Sequence, residues 1–129
     1  MQRIRAKAPG PRRDSPLRHN GDRMTNKIVV LSACASEEEA LKIARALVDA
    51  RLAACANIVP GARSIYRWKG VTEDAREWLL IIKSRRDLFE ALGAELRRLH
   101  SYELPELVAV PIIDGSAEYL GWLDAELGL

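Results

Sequence analysis

The chain has 129 residues, of which 48% are hydrophobic and 29% are charged, and its formal net charge is +2. This length allows one domain with one core, and the composition is typical of a globular protein rather than a disordered or fibrous one. Every apolar run is much shorter than the ~20 residues of a membrane-spanning helix, so we expect no association with a membrane.

The charge is unevenly distributed along the chain. Residues 1–23 contain seven Arg or Lys and two Asp, a net charge of +5, whereas the remaining residues carry a net charge of −3. This first segment also has three Pro, two Gly and no aromatic residue, and it lacks the apolar stretch of a signal peptide. We therefore predict a disordered basic extension over 1–23 and a folded domain over 24–129. A basic arm can contact phosphates, but nucleic acid is not the expected partner.

The folded part begins with a strand and a helix. Consecutive apolar residues in Lys27–Ala33 predict a central strand that is covered on both faces. Ser36 and Glu39 form a capping box, in which each side chain satisfies a backbone amide at the start of a helix. Apolar residues then recur at three-to-four spacing, which predicts an amphipathic helix to about Arg51.

A long β-hairpin follows the first helix. Cys55–Trp68 is typical of one long strand with a bulge at Pro60-Gly61, because proline cannot donate to the ladder and glycine tolerates unusual dihedral angles. Lys69–Ala75 is polar and predicts a turn, and Arg76–Lys83 predicts the returning strand.

The last third of the chain predicts a helix, a strand and a short terminal helix. Leucines on one face favour a helix over Arg86–Leu99, and Leu107–Ile113 is typical of a strand that Pro111 places at or near a sheet edge. Ser116 is a suitable cap for the terminal helix.

This order, βαββαβ plus a terminal helix, predicts an α+β, ferredoxin-like sandwich. Its helices would cover one face of the sheet and leave Val, Ile and Leu exposed on the other. A bare apolar face predicts a partner, and so does the long strand that carries Tyr66 and Trp68, because it is longer than a sheet of this size needs.

His100 is the best candidate metal ligand in the domain. It lies at the end of a predicted helix, close in sequence to Tyr102, Glu103 and Glu106. Imidazole and carboxylate ligands suit Cu(II) or Zn(II). An equally supported interpretation is a structural histidine that is hydrogen-bonded near the last carbonyls of the helix.

The two cysteines, Cys34 and Cys55, have no C-x-x-C spacing, which favours free thiols and a cytoplasmic location. A thiolate at Cys55 would suit Cu(I). A small buried apolar residue is the commoner role for such a cysteine, and we prefer that interpretation for both.

A further set of residues combines aromatic and charged side chains. Cross-strand packing explains such a set, and so does a ligand cleft between subunits. The set comprises Tyr66, Arg67, Trp68, Lys69, Glu77, Lys83 and Tyr102. The sequence has no phosphate-binding glycine loop and no supported nucleophile–base pair, so we do not expect an enzyme.

Two segments resemble the CutA family of divalent-ion tolerance proteins: Leu52–Gly70, LAACANIVPGARSIYRWKG, and His100–Pro111, HSYELPELVAVP. The resemblance extends from about Lys27 to Leu123. It implies a homotrimer whose sheets face inward and whose long strands pair between subunits. It also implies a role in tolerance of divalent cations, copper in particular.

The resemblance implies a weakly bound copper or other divalent cation, held by His100 with Glu103, Glu106 and Cys55 as further candidates. The chain departs from the family pattern at two places. Ser101 replaces the usual proline after the histidine, and Ser32 stands where some members have a cysteine that is linked to copper, with Cys34 two residues later.

An alternative function belongs to a different class of protein. The predicted trimeric ferredoxin-like architecture is similar to that of the PII signalling proteins, which is an analogy of fold alone. In this alternative Arg67, Lys69 and Lys83 would bind a small anionic ligand at the subunit clefts, and the protein would report it to protein partners.

Overall fold

A computed structural model describes residues 25–128, and its elements follow the predicted order. The strands are β1 (Lys27–Cys34), β2 (Cys55–Trp68), β3 (Val71–Arg85) and β4 (Val108–Pro111); the helices are α1 (Glu37–Asp49), α2 (Phe89–Leu99) and α3 (Ala117–Leu127). A 3-10 turn at Arg86–Leu88 leads into α2. The proposed extension over 1–23 lies outside the described residues. None of the helices in 25–128 is long and apolar enough to cross a bilayer.

The four strands form one sheet in the order β2-β3-β1-β4, and each neighbouring pair is antiparallel. This topology confirms the ferredoxin-like α+β arrangement. β4 is an edge strand, as Pro111 predicted. The helix caps are confirmed as well: the Ser36 hydroxyl accepts the Glu39 amide at 3.1 Å, and the Ser116 hydroxyl accepts the Tyr119 amide at 3.2 Å.

The turn of the long hairpin is shorter than predicted. Lys69 and Gly70 alone connect β2 to β3, so the prediction of a turn over Lys69–Ala75 was wrong. Both residues have positive φ, +51° and +83°, which is the conformation that lets a two-residue turn match the twist of the strands. Thr72, Glu73 and Asp74 lie in β3 near the solvent-exposed hairpin tip, so these polar residues belong to the strand and not to the turn.

The predicted bulge at Pro60-Gly61 is confirmed. The β2–β3 register shifts between Val59 and Ala62, and Gly61 has φ +87°. Beyond the bulge, Ala62 pairs with Glu77. This register places Ser64 diagonally across from Glu77, so the bulge sets the geometry of a contact described below.

The two faces of the sheet differ in how well the chain covers them. The core lies between the sheet and helices α1 and α2, where Ile43, Leu80 and Leu92 are fully buried. The opposite face, here called the open face, carries alternate strand residues: Val29, Leu31, Val59, Leu79, Ile81, Val108 and Val110. Val108 and Val110 remain 48% and 47% exposed. The predicted uncovered apolar face is therefore present in the part of the chain that the structure describes.

Helix α3 packs against one end of the sheet. Leu123 and Leu127 pack with Ala54. Asp124 accepts ion pairs from Lys27 at 3.1 Å and from Arg85 at 3.4 Å, and these two cationic side chains are only 8% and 6% exposed. The hydrogen bond from Lys27, with the nearby Arg85, holds the pKa of Asp124 below its usual range.

Two buried serines in the sheet differ in whether the side-chain hydroxyl has a hydrogen-bond partner, so they test what such a partner contributes to stability. The Ser84 hydroxyl donates to the Leu52 carbonyl at 2.7 Å, whereas the Ser32 hydroxyl, 1% exposed, has no hydrogen-bond partner among the described residues. We predict that Ser84→Ala lowers the free energy of unfolding by roughly 1–3 kcal/mol, because it leaves a buried carbonyl unpaired. Ser32→Ala should be neutral or stabilising. Urea denaturation measures both, and an equal loss in the two variants would contradict this account.

Candidate functional site

His100 follows α2 directly and is 8% exposed. The Tyr102 backbone amide donates to its Nδ1 at 3.1 Å, so Nδ1 is unprotonated. The proton must therefore be on Nε2, which lies 2.8 Å from the Ala33 carbonyl and donates to it. The ring is neutral and joins the loop after α2 to the end of β1.

Two further metal-binding side chains meet His100. Cys34 Sγ lies 3.8 Å from His100 Nε2, and the ligand atoms of Cys34, Glu39 and His100 all lie within 4.8 Å of one another. We call these three residues the His100 cluster. Glu39 already accepts the Ser101 amide at 2.7 Å and the Ser101 hydroxyl at 3.1 Å.

Cys34 is a protonated thiol at neutral pH. Burial, reinforced by the negative charges of Glu39 and Glu77, raises the pKa of the Cys34 thiol to about 12. Because thiolate and not thiol is the metal ligand, a cation at the cluster must displace this proton as well as the one on His100 Nε2.

An open cleft of about 740 Å³ lies beside the cluster, between the loop after α2 and the long hairpin. Its lining includes the carboxylates of Glu77, Glu103 and Glu106 and the aromatic rings of Tyr66, Trp68 and Tyr102. We call it the acidic cleft. Cys34, Glu39 and His100 do not line it, so the cluster and the cleft are separate features that share one loop.

Glu77, which lines the acidic cleft, is held in place by two short hydrogen bonds. It is 7% exposed, and it accepts hydrogen bonds of 2.6 Å from the Ser64 and Tyr102 hydroxyls. Burial, followed by the bond to Glu77, raises the pKa of Tyr102 well above its usual range. The Tyr102 hydroxyl therefore stays protonated and acts as a donor.

The structure separates the metal ligands that were proposed from the sequence. Glu103 and Glu106 line the acidic cleft, whereas both ring nitrogens of His100 are held by Ala33 and Tyr102. Sequence reasoning missed Glu39, which it identified only as a helix-capping residue, because nothing in the chain links it to a histidine so far along the sequence.

Cys55 lies at a different place on the sheet. It pairs with Lys83 on β3, whereas Cys34 pairs with Trp78, a separation of roughly 17 Å along the strand. Cys55 Sγ instead lies 3.8 Å from the Tyr119 hydroxyl and 3.9 Å from Lys83 Nζ. Burial, followed by the contact with Cys55, raises the pKa of Tyr119. The structure does not bring Cys55 to His100.

The cations considered for an anionic ligand are also apart. Arg67 pairs with Thr72 near the hairpin tip, and Lys83 lies roughly 36 Å further along β3, where it donates to Asn57 at 2.9 Å. Lys69 Nζ lies 3.8 Å from Glu103 and 5.5 Å from the centre of the Trp68 ring. Within the chain these side chains do not form one anion site.

With this geometry in view, comparison with known proteins defines the class. The sequence profile described as "CutA1 divalent ion tolerance protein" matches residues 28–126. The chain is 50% identical over 100 residues to the "Divalent-cation tolerance protein CutA" of Thermus thermophilus, a match that covers 78% of this chain and 97% of that protein. The crystal structure of CutA from Xylella fastidiosa superposes with a TM-score of 0.78 at 40% identity, covering 80% of this chain and 99% of that one.

The chain therefore belongs to the CutA1 divalent ion tolerance family. It is also 45% identical over 96 residues to "Protein CutA, chloroplastic" of Arabidopsis thaliana, covering 74% of this chain and 53% of the plant protein. The chain thus spans about half of the plant relative and nearly all of the bacterial one.

Proposed function

We propose that this protein contributes to divalent-cation tolerance as a homotrimeric binding protein without a catalytic role, and that it holds copper or another divalent cation weakly at the His100 cluster. One observation carries the proposal: a thiol, a carboxylate and an imidazole converge within 4.8 Å. The names of the bacterial relatives support the link to divalent cations.

The donor set of the cluster suits a borderline divalent ion. Sulfur, nitrogen and oxygen donors together favour Cu(II) or Zn(II) over Mg²⁺ or Ca²⁺. The residues would hold the ion only after three contacts change: Cys34 loses its proton, the His100 proton moves from Nε2 to Nδ1 and so breaks the Tyr102 hydrogen bond, and Glu39 releases Ser101. The proposed affinity is therefore low.

Substitution of single ligands tests this assignment. We predict that Cys34→Ser and Glu39→Gln each weaken Zn(II) binding by about tenfold or more, because each removes one of three ligands. Cys55→Ser is the matched control and should leave the affinity unchanged, since Cys55 lies elsewhere on the sheet. Calorimetric titration of the full chain under reducing conditions measures all three. Loss of binding in Cys55→Ser alone would move the site to that end of the sheet.

The proposal of a trimer rests on apolar surface that residues 25–128 leave uncovered. The open face carries half-exposed Val108 and Val110, and the hairpin tip exposes Ile65 by 62% and Val71 by 57%. β2 and β4 are the two edge strands of the sheet, and within residues 25–128 each is paired on one side only. Apolar faces and free edges of this kind favour pairing with further copies, and the number three follows from the family resemblance.

A charge on the open face should break the assembly. We predict that Val110→Glu reduces the mass in solution from three chains to one, because a carboxylate cannot be buried without a partner. Leu41→Glu is the control: Leu41 lies on α1, is 39% exposed, and belongs to the opposite side of the sheet. Static light scattering reports the mass. A wild-type monomer, or a trimer that persists in Val110→Glu, would refute the proposed interface.

The cellular location and the domain organisation of the protein are also proposals. Both described cysteines are free, which supports the proposed cytoplasmic location, although the Arabidopsis relative is named as chloroplastic. We retain the division into a basic extension over 1–23 and a domain over 24–129.

The PII-like alternative has no support from a cation cluster, since Lys83 lies far from Arg67 and Lys69.

A further inference from the structure

The loop after α2 is held in place by ligand atoms of the His100 cluster. The Ser101 amide and hydroxyl donate to the two oxygens of Glu39 at 2.7 and 3.1 Å, and the Tyr102 amide donates to His100 Nδ1 at 3.1 Å. Hydrogen bonds from two consecutive residues thus end on two of the three ligands. We call this arrangement the closed loop.

The bond from Tyr102 cannot coexist with a metal ion on either nitrogen of the His100 ring. An ion on Nε2 requires the ring proton to be on Nδ1, which can then no longer accept the Tyr102 amide. An ion on Nδ1 takes the same lone pair directly. In both cases the closed loop loses one of its attachments.

The cluster is also shielded from solvent while the loop is closed. Cys34 is 0% exposed and His100 is 8% exposed, whereas Ser101, which binds the third ligand, is exposed. An ion from solvent reaches the sulfur and the ring nitrogen only when surface residues move aside, and Ser101 is a surface residue that is bonded directly to Glu39. Opening of the loop would therefore admit the ion and free the carboxylate together.

The far end of the closed loop reaches the other side of the sheet. The Tyr102 hydroxyl donates to Glu77 at 2.6 Å. The neighbour of Glu77, Trp78, packs against the core, so Glu77 points to the opposite side, which is that of the open face. The loop therefore connects the cluster on the helix side to a carboxylate on the side where we propose that subunits meet.

We propose that a metal ion at the His100 cluster and the closed loop exclude each other, so that metal binding releases Ser101 and Tyr102 and, with them, the contact to Glu77. Given the metal site proposed above, on which this inference rests, Ser101 is a competitor within the chain for the Glu39 carboxylate. Because the coupling between two sites is reciprocal, a change that weakens the contact between Tyr102 and Glu77 must also tighten metal binding.

Hydrogen exchange detects release of the loop. The full chain in its native assembly is compared with and without Zn(II) under reducing conditions, by mass spectrometry of peptides that contain Ser101 and Tyr102. We expect Zn(II) to speed exchange of these two amides by about tenfold or more, because both lose their hydrogen-bond acceptors. In Cys34→Ser, at a Zn(II) concentration too low to load that variant, exchange should not change.

Two conservative variants test the coupling from the side of the loop. Tyr102→Phe removes the hydroxyl that binds Glu77 but no metal ligand, and Ser101→Ala removes one of the two bonds to Glu39. Each should tighten Zn(II) binding roughly fivefold, the factor equivalent to one hydrogen bond. Tyr66→Phe and Ser101→Thr are the matched controls and should leave the affinity unchanged. The first removes a tyrosine hydroxyl from the same cleft, and the second keeps a hydroxyl at position 101.

The opposite results would overturn the proposal. Weaker Zn(II) binding in Ser101→Ala would show that its hydroxyl supports the metal-bound carboxylate and does not compete with the ion. Unchanged affinity in Tyr102→Phe, or unchanged or slower exchange of the loop amides in the Zn(II)-bound protein, would show that the closed loop survives metal binding. In each of these cases, binding that depends on Cys34 leaves the proposed function standing. A chain that binds no Zn(II), or binds it independently of Cys34, contradicts both.

Discussion

The hydrogen bonds of the His100 ring are the constraint on which both candidate sites depend. The ring accepts from the Tyr102 amide and donates to the Ala33 carbonyl, so it holds the loop after α2 against the end of β1. Two fixed partners on opposite sides of a buried ring allow one tautomer and one orientation. The His100 ring therefore fixes the position of the loop residues that follow it, including Ser101 and Tyr102.

The loop places consecutive residues in different environments. Ser101 reaches Glu39 on α1, and Tyr102 reaches Glu77 on β3. The first contact belongs to the His100 cluster and the second to the acidic cleft. A proline at position 101, as in the usual family pattern, would have neither the amide hydrogen nor the hydroxyl that Glu39 accepts here. The departure of this sequence from its family therefore has a structural consequence: in this chain, the carboxylate that completes the cluster is already occupied by the loop.

The sequence predicted the fold well because the decisive signals are local. The three-to-four spacing of apolar residues in α1, the capping serines and the Pro60-Gly61 bulge each act within a few residues, and each is found where it was expected. The turn over Lys69–Ala75 failed because polarity was taken for a turn, whereas the polar residues belong to a strand that extends to the exposed hairpin tip. The two-residue turn was not predicted because lysine seldom adopts positive φ, so Gly70 was its one typical turn residue.

The sites were harder to predict because they depend on contacts between distant parts of the chain. Glu39 and Ser101 are 62 residues apart, and no periodicity connects them. Cys55 was grouped with His100 by residue type alone, and the sheet register places it roughly 17 Å from Cys34 along β3. The aromatic residues of the expected ligand cleft and Glu77 do line one cleft, whereas Lys83 lies far along β3 from Arg67 and Lys69.

The two-bond proton–nitrogen NMR spectrum of His100 tests the central claim most directly, and His19 is the only other histidine to assign. The account predicts that metal-free His100 is neutral, with the proton on Nε2 and Nδ1 as an acceptor. When Zn(II) binds at Nε2, the ring proton should move to Nδ1, and the hydrogen bond from the Tyr102 amide should be lost. A proton on Nδ1 of the metal-free protein, or an imidazole spectrum that Zn(II) leaves unchanged while the metal binds, would contradict it.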